Sequence, residues 1–202
     1  MERTYTYLAL GDSYTIGEGV VLQKSFPYQV VTGLRKKGFH FAAPEVIAKT
    51  GWTTAELGTA IEEHTFLSKY DFVTLLIGVN NQYRGQTIEA YKIELESLLK
   101  KSLDFTDGKK EHVIVVSIPD YSITPFGQKM DAATIKHEID LFNSVNKALS
   151  IQYKTNYIDI TEGSRAAKED VSLLAEDGLH PSEKEYKKWA AEVIQYIAAQ
   201  IK

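Results

Sequence analysis

The sequence predicts an α/β fold: a three-layer, flavodoxin-like sandwich with a five-stranded parallel sheet of order 2-1-3-4-5 and helices on both faces. Strand and helix patterns alternate five times along the 202 residues, which is typical of parallel strands joined by crossover helices. The segments Phe72–Ile77 and Val113–Ile118 are apolar nearly throughout, as expected of strands buried on both faces. No linker or internal repeat interrupts this pattern, so residues 1–202 are predicted to form a single domain.

The other three predicted strands are short. Tyr5–Leu10 is rich in aromatic and apolar residues and ends at a glycine. Glu45–Ala48 is the second strand, and Tyr157–Ile160 is the last. Together with the two apolar segments they make up the five strands of the sheet.

The helices are predicted from their caps and from the spacing of apolar residues. Pro27 lies in the first turn of the first helix. Thr53 with Glu56 forms a capping box, and Ser182 with Glu185 forms a second one at the start of the last helix. Two longer helices lie between these boxes, the second from about residue 131 to 153. Their apolar stripes consist of Ile88, Tyr91, Leu95, Leu98 and Leu99, and of Ile135, Ile139, Phe142, Val145 and Leu149.

Composition excludes several classes of function. The net charge is −4 and there is no basic block, so nucleic-acid binding has little electrostatic support. The absence of cysteine excludes disulfides, thiolate metal sites and a cysteine nucleophile. Met1–Tyr5 lacks the pattern of a signal peptide, and no apolar run is long enough to span a membrane. A cytoplasmic protein is therefore expected, although a trimmed exported protein would look the same.

Residues suited to chemistry follow the predicted strands. The first strand leads to Gly11–Ser13, the second to Gly51, and the third to Gly78 and Asn80. Ligands of such sheets bind beyond the carboxyl ends of the strands, so these segments should converge on one edge. Asp177 and His180, in the turn before the last helix, are expected at the same edge.

A serine nucleophile needs a base to take its proton and a group to orient that base. Asp177 lies three residues before His180, so its carboxylate can reach Nδ1 while Nε2 points toward Ser13. Backbone N–H groups of Ser13 and Gly51 and the Asn80 amide are candidate donors to a developing oxyanion. Taken singly, each residue also fits an ordinary role as a turn residue, a helix cap or a surface residue.

Taken together, these residues resemble the SGNH hydrolases, also called the GDSL esterase/lipase superfamily. Gly11–Tyr14 matches the first block, with Tyr14 where leucine is usual. Gly51 matches the second block, Gly78–Asn80 the third, and Asp177–Pro181 the last. Asn81 stands where the family often has aspartate after the third-block asparagine. The blocks occur in family order over nearly the whole chain.

The resemblance implies roles for individual residues. Ser13 would be the nucleophile, His180 the general base and acid, and Asp177 the residue that orients His180. The Ser13 N–H, the Gly51 N–H and the Asn80 side chain would form the oxyanion hole.

The expected function is hydrolysis of a carboxylic ester, such as a small acyl ester, an acetylated sugar or a lysolipid. It would proceed through an acyl-enzyme, with no metal or organic cofactor. A non-catalytic carbohydrate- or lipid-binding module, or an acyltransferase with the same residues, remains an alternative. The expected partner is thus a small-molecule ester, with no nucleic acid and no membrane span, and no oligomeric state is predicted.

Substrate contacts are expected from the loops that surround the site. Arg84 is placed to meet an anionic group of the substrate. The spacing of His137 and Asp140 is only a weak indication of a metal site, because no third ligand is near. For each contact the alternative is ordinary surface or loop packing. The candidate substrate-binding residues are Trp52, Asn81, Tyr83, Arg84 and Tyr121, with Phe126 beside them.

Overall fold

A five-stranded, fully parallel sheet of order β2-β1-β3-β4-β5 forms the centre of the protein in the computed structural model, which describes residues 3–201. Each neighbouring pair in this order is parallel, which confirms the predicted topology. Residues 1 and 2 of the N-terminal segment considered above lie outside the described residues. The strands are β1 (Tyr7–Gly11), β2 (Glu45–Ala48), β3 (Phe72–Leu76), β4 (Val113–Val116) and β5 (Asn156–Ile158).

Eight α-helices connect or follow these strands within the described part of the chain. The last long helix packs against the first long one, and the three longer helices between them pack in series. The helices are α1 (Ser13–Ile16), α2 (Phe26–Lys36), α3 (Thr54–Glu63), α4 (Val79–Tyr83), α5 (Ile88–Phe105), α6 (Ala132–Tyr153), α7 (Thr161–Ser164) and α8 (Glu183–Gln200).

The three central strands are buried along their whole length. Every residue of β1, β3 and β4 is buried, which confirms the interpretation of the apolar runs. Burying one valine, leucine or isoleucine side chain stabilises the fold by about 1.5–3 kcal/mol. The central strands are therefore a rigid base, and the residues that follow their carboxyl ends are held on it.

One predicted capping box forms and the other does not. At α3, Glu56 accepts a hydrogen bond from the Thr53 N–H at 2.8 Å, and the Thr53 side chain accepts one from the Glu56 N–H. Helix α8 begins after Ser182 as predicted, but the Ser182 hydroxyl donates to the Ser172 carbonyl instead. Glu185 is buried and accepts from the Trp189 indole at 2.9 Å, because a buried indole N–H needs an acceptor.

Some predicted strands run too far at their carboxyl ends. The strand predicted to reach Ile118 ends at Val116, and the one predicted to reach Ile160 ends at Ile158. Beyond these points side chains replace the sheet partners. The Ile118 N–H donates to the Asn143 amide at 2.8 Å, and the Ile160 N–H donates to the Ser117 hydroxyl at 2.8 Å. The chain thereby leaves the sheet and enters the loops near the strand ends.

Among the described residues, no helix is long and apolar enough to cross a membrane.

Candidate active site

Strand register brings the predicted nucleophile and the predicted oxyanion residues to one edge of the sheet. Gly11 of β1 pairs with Ala48 of β2 and with Leu76 of β3. Ser13, Gly51 and Asn80 follow these paired residues by two, three and four positions, as counted from the register. The three segments therefore emerge side by side, as expected for the carboxyl ends of parallel strands.

Ser13 is the first residue of the short helix α1. Asp12 caps this helix, with its Oδ1 accepting a hydrogen bond from the Tyr14 N–H at 3.0 Å. Ser13 is only 5% exposed, so its hydroxyl faces a confined space and not bulk solvent. The cap and the helix turn fix the backbone that carries the hydroxyl.

Asp12 itself is entirely buried, and its Oδ2 has no hydrogen-bond partner within the described structure. Burial raises the pKa of Asp12 to about 7, against the opposing effect of backbone hydrogen bonds at Tyr14, Asp12 and Gly78. Asp12 is therefore a buried acid next to Ser13 in sequence, and the aspartate bonded to His180 is a different one, Asp177.

The Asp177–His180 pair forms within one tight turn. Asp177 Oδ2 lies 2.7 Å from His180 Nδ1, and Asp177 Oδ1 accepts from the backbone N–H groups of Leu179 and His180 at 2.9 Å each. The turn is closed by the Ala175 N–H, which donates to the His180 carbonyl at 2.8 Å. Both carboxylate oxygens are thus used to hold the imidazole in place.

The protonation state of Asp177 sets the tautomer of His180. Partial burial opposes ionisation of Asp177, but the hydrogen bonds from the His180 side chain and from the two backbone N–H groups outweigh it and lower its pKa. Since Asp177 is a carboxylate and can only accept, Nδ1 of His180 carries the proton that is donated to it. Nε2 is then the nitrogen with a free lone pair in the neutral ring.

Ser13 and His180 line the same cavity, together with Tyr14 and Asn80. Among the hydrogen bonds of the described residues, none joins the Ser13 hydroxyl to the His180 imidazole, which bonds to Asp177. Catalytic hydrogen bonds are often long in unliganded enzymes and tighten when substrate binds. The ring of Tyr14 packs edge-on against His180, with 5.8 Å between centroids, and limits how far the imidazole can swing.

The three predicted oxyanion donors each have a hydrogen that no contact among the described residues uses. In the described part of the chain, no hydrogen-bond acceptor engages the backbone N–H of Ser13 or of Gly51. The Asn80 side chain donates one of its two amide hydrogens to the Trp52 carbonyl at 2.9 Å, which leaves the second hydrogen for a ligand. Gly51 has φ of +84°, a conformation that side-chain-bearing residues rarely adopt.

Gly19 allows the loop after α1 to pack against the Asp177–His180 turn. A Cβ placed on Gly19 would lie 2.7 Å from the Ala175 Cβ and 3.4 Å from Asp177 Oδ2. Only glycine permits so close an approach. The backbone after α1 therefore supports the turn that holds His180.

The matching family model is that of the GDSL-like lipase/acylhydrolase family, and it covers residues 9–188. The chain belongs to this family. Membership confirms the predicted SGNH, or GDSL, relationship and the class of enzyme, an esterase or lipase. No curated protein matches the chain.

Solved structures of an acylhydrolase and of esterases share the fold over almost the entire chain. The lipase/acylhydrolase from Enterococcus faecalis is 20% identical, with a TM-score of 0.78 over 98% of this chain and 97% of that one. The W215I variant of Axe2, an acetyl xylan esterase from Geobacillus stearothermophilus, is 20% identical with a TM-score of 0.75, covering 96% and 94%. The esterase EstA from Pseudoalteromonas, inhibited by monoethylphosphonate, is 18% identical with a TM-score of 0.69, covering 98% of each chain.

The cavity of this GDSL-family chain has a volume of about 180 Å³ and an aromatic wall. The rings of Tyr83, Tyr121 and Phe126 contact one another with centroids 6.2–6.5 Å apart. Tyr121 is fixed by its hydroxyl, which donates to Gln82 at 2.8 Å, and burial raises its pKa to about 12. The predicted contacts Tyr83 and Tyr121, with Phe126, therefore do line the cavity.

Asn81 was expected to contact substrate, and this prediction is wrong. Its side chain is fully buried, accepts from the Thr54 N–H at 3.1 Å, and donates to the Thr54 hydroxyl and to Gln86. The amide thus joins α4 to the start of α3 and to Gln86 in the loop before α5. Because Asn80 and Asn81 are adjacent on a short helix, they point to different sides, and only Asn80 reaches the cavity.

Trp52 and Arg84 do not line the cavity either. The half-buried Trp52 packs against the hydrophobic core, and only its carbonyl meets Asn80. Arg84 is bonded to the Gly51 carbonyl and to Glu56. The expected roles of both side chains as substrate contacts stay predictions.

Three apolar or aromatic wall residues were not predicted: Tyr14, Val79 and Leu179. Each directly adjoins a predicted polar residue, namely Ser13, Asn80 or His180. Their position next to a motif residue is therefore the sequence signal by which these three wall residues could have been predicted.

The structure offers no obvious metal ligand set. Within residues 3–201, no group of three or more histidine, aspartate or glutamate side chains is arranged to hold an ion. Asp140, considered with His137 as a metal pair, instead accepts from Arg165 at 2.6 Å.

Proposed function

We propose that this GDSL-family chain hydrolyses small carboxylic esters through an acyl-enzyme formed on Ser13. The observation that supports it most strongly is the bonded Asp177–His180 pair, whose imidazole lines the same cavity as the Ser13 hydroxyl. A buried serine that shares a cavity with an imidazole of fixed tautomer supplies the two groups that nucleophilic catalysis by serine requires.

In the first step, the Ser13 Oγ attacks the ester carbonyl carbon while His180 Nε2 accepts the serine proton. The C–O bond to the alcohol then breaks, and the imidazolium returns the proton to the departing alkoxide. In the second step, water attacks the acyl-enzyme, with His180 again taking and then returning one proton, so that acid and free Ser13 result. Asp177 stabilises the imidazolium in both steps without taking the proton itself.

Negative charge on the carbonyl oxygen would be stabilised by three donors. The uncommitted backbone N–H groups of Ser13 and Gly51 supply two of them, and the second amide hydrogen of Asn80 supplies the third. Donors fixed before the reaction need no reorganisation at the transition state, and one such donor is worth about 2.7–4 kcal/mol. The fixed positions of these groups support their assignment as the oxyanion hole.

Cavity size favours a small acyl group. A volume of about 180 Å³ is below the roughly 300–1,000 Å³ of sites for drug-sized ligands. The aromatic wall suits an apolar group or the face of a sugar ring. A short-chain or acetyl ester, including an acetylated sugar, is the proposed substrate class, and the similarity in fold to an acetyl xylan esterase accords with it. A lysolipid chain would extend well beyond this space.

The test is hydrolysis of p-nitrophenyl acetate, butyrate and octanoate by the native chain and by Ser13→Ala. The native chain should hydrolyse the acetate or butyrate with the highest kcat/KM, and Ser13→Ala should lose this activity while keeping its circular dichroism spectrum. Absence of turnover of all three esters by the folded native chain would instead favour a non-catalytic binding module.

A second measurement separates hydrolysis from acyl transfer. Products are quantified with and without an added alcohol or sugar acceptor. Free acid as the main product in both cases supports the hydrolase, whereas acylated acceptor as the main product at millimolar acceptor would identify an acyltransferase.

A further inference from the structure

Helix α4 holds two consecutive carbonyl groups of the loop that contains Gly51. Asn80 lies in this helix and Arg84 is its C-cap, so the two are four residues apart and their side chains share a face. The Asn80 amide donates to the Trp52 carbonyl at 2.9 Å, and the Arg84 guanidinium donates to the Gly51 carbonyl at 2.6 Å. The same short helix thus fixes the peptide groups on the carboxyl side of Gly51.

Thr50, the residue before Gly51, is held by a different segment of the chain. The Thr50 hydroxyl donates to Glu18, which lies in the loop just after the nucleophile helix α1. Residues 50, 51 and 52 are each tied to a different side chain. Gly51 is therefore constrained on both sides of its Cα, although it has no side chain of its own.

Arg84 is itself held in place by a second contact. Its Nη1 lies 3.2 Å from Glu56 Oε2, and the same glutamate accepts the Thr53 N–H in the capping box of α3. The guanidinium is a rigid planar fork whose donors can serve two acceptors at once. Arg84 therefore joins the start of α3 to the Gly51 carbonyl.

This restraint matters because glycine has the largest conformational freedom of any residue. Gly51 adopts φ of +84°, and a rotation about its backbone bonds would turn its N–H away from a bound oxyanion. Oxyanion donors act only if they are fixed in the right direction before the reaction.

We propose that Arg84 is a positioning residue, which aims the Gly51 N–H at the oxyanion by holding the Gly51 carbonyl. The inference rests on the proposed function, because it assigns Arg84 a part in that same site. The competing prediction is that Arg84 binds an anionic group of the substrate. Its effect should therefore be independent of substrate charge.

The kinetic test compares Arg84→Met, Arg84→Lys and Glu56→Gln on a neutral ester, p-nitrophenyl acetate, and on an anionic one, the p-nitrophenyl monoester of succinate. Arg84→Met should lower kcat about tenfold on both esters with little change in KM, less than the ~10²–10³ lost when a donor is removed outright. Millimolar guanidinium should restore part of the loss. Glu56→Gln keeps the capping box but weakens the contact that holds Arg84, so it should lower kcat by less than Arg84→Met does. The matched control is Arg35→Met, which removes an arginine that also donates to a backbone carbonyl, that of Phe41, but does not line the cavity, and it should change kcat little.

Two kinetic outcomes would overturn the proposal. A rise in KM for the anionic ester alone would show that Arg84 contacts substrate directly, and unchanged kinetics on both esters would show that it has no part in the site. Inactivity of the native chain on every ester is a distinct result. It would refute the proposed function and, with it, any catalytic role of the contact between Arg84 and the Gly51 carbonyl.

A second readout does not depend on activity. In ¹⁵N NMR spectra, the Gly51 amide should have the order parameter of a rigid backbone in the native chain and a clearly lower one in Arg84→Met. An equal order parameter in both would contradict the positioning role, whatever the activity.

Discussion

Asp177 uses both carboxylate oxygens to orient His180: Oδ2 meets the imidazole Nδ1 at 2.7 Å, and Oδ1 accepts the backbone N–H of the same histidine at 2.9 Å. The proposed base and the acid proposed to orient it are thereby built into one four-residue turn. Tyr14, next to Ser13 in sequence, packs edge-on against the same imidazole. The turn that carries Ser13 and the turn that carries His180 are thus in direct contact.

Replacement of Asp177 by asparagine should lower kcat by as much as about 10⁴-fold, because an amide nitrogen facing Nδ1 would favour the wrong imidazole tautomer. KM should change little. The matched control is Asp170→Asn, since Asp170 makes a comparable turn by accepting the Ser172 N–H at 3.0 Å away from the cavity. Equal activity of the two variants in steady-state assays would refute the role assigned to Asp177.

Removal of the Asn80 amide should lower kcat by about 10²–10³-fold, the usual cost of losing one oxyanion donor. Asn80→Asp is the sharper variant, because it keeps the shape of the side chain and removes both amide hydrogens. The measurement is kcat on p-nitrophenyl acetate together with circular dichroism. A kcat within threefold of the native value for both Asn80→Ala and Asn80→Asp would exclude Asn80 from the oxyanion hole.

Phe126→Ala should shift the preferred acyl group toward longer chains, since it removes one ring from the wall of a cavity of about 180 Å³. The ratio of kcat/KM for octanoate to that for acetate is measured. Tyr83→Phe is the control, because it keeps a ring in the same wall and should leave the ratio unchanged. An unchanged ratio in Phe126→Ala would place the acyl group elsewhere.

Asp12 should make the protein less stable as the pH rises toward neutrality. Its pKa is about 7 when folded, against an ordinary value of 3.8, so the folded state keeps a proton that the unfolded state releases between these values. The stability that this proton contributes is complete below pH 3.8 and is lost as the pH rises through about 7.

The test is the free energy of unfolding by urea from pH 4 to pH 8, for the native chain and for Asp12→Asn. Asparagine can still accept the Tyr14 N–H but does not titrate, so the variant should lose less stability across this range. Asp177 acts in the opposite direction, because its lowered pKa adds stability that is lost only as the pH falls through that lowered value. If the free energy of unfolding changed with pH in the same way for the native chain and for Asp12→Asn, the raised pKa assigned to buried Asp12 would be contradicted.

Sequence patterns predicted the sheet because its signals are local and strong. The uninterrupted apolar runs at β3 and β4 indicated double-sided burial, and the Thr53–Glu56 box marked the start of α3 within one residue. Helices α1 and α4 escaped prediction because four or five residues are too few to show a helical period. The second capping box failed because burial of Trp189 drew Glu185 inward.

The polar residues of the site could be predicted from the sequence, whereas several of the apolar and aromatic residues around them could not. Ser13, Asp177, His180 and Asn80 each follow or precede a recognisable element, and the structure brings them to one edge of the sheet. The prediction for Asn81 failed because residues adjacent in sequence point to different sides of a helix, so Asn81 does not face the cavity that Asn80 lines. Its amide meets Thr54, 27 residues away, and such long-range pairing cannot be read from a local pattern.

The most direct test of Ser13 as the nucleophile is covalent labelling with a serine-directed ethyl phosphonate, followed by intact mass measurement and peptide mapping. A related compound inhibits EstA, an enzyme with a similar fold. We expect one adduct per chain, located on Ser13, with loss of esterase activity in proportion to labelling and no adduct in Ser13→Ala. A single adduct on another serine, or full esterase activity in Ser13→Ala, would contradict it.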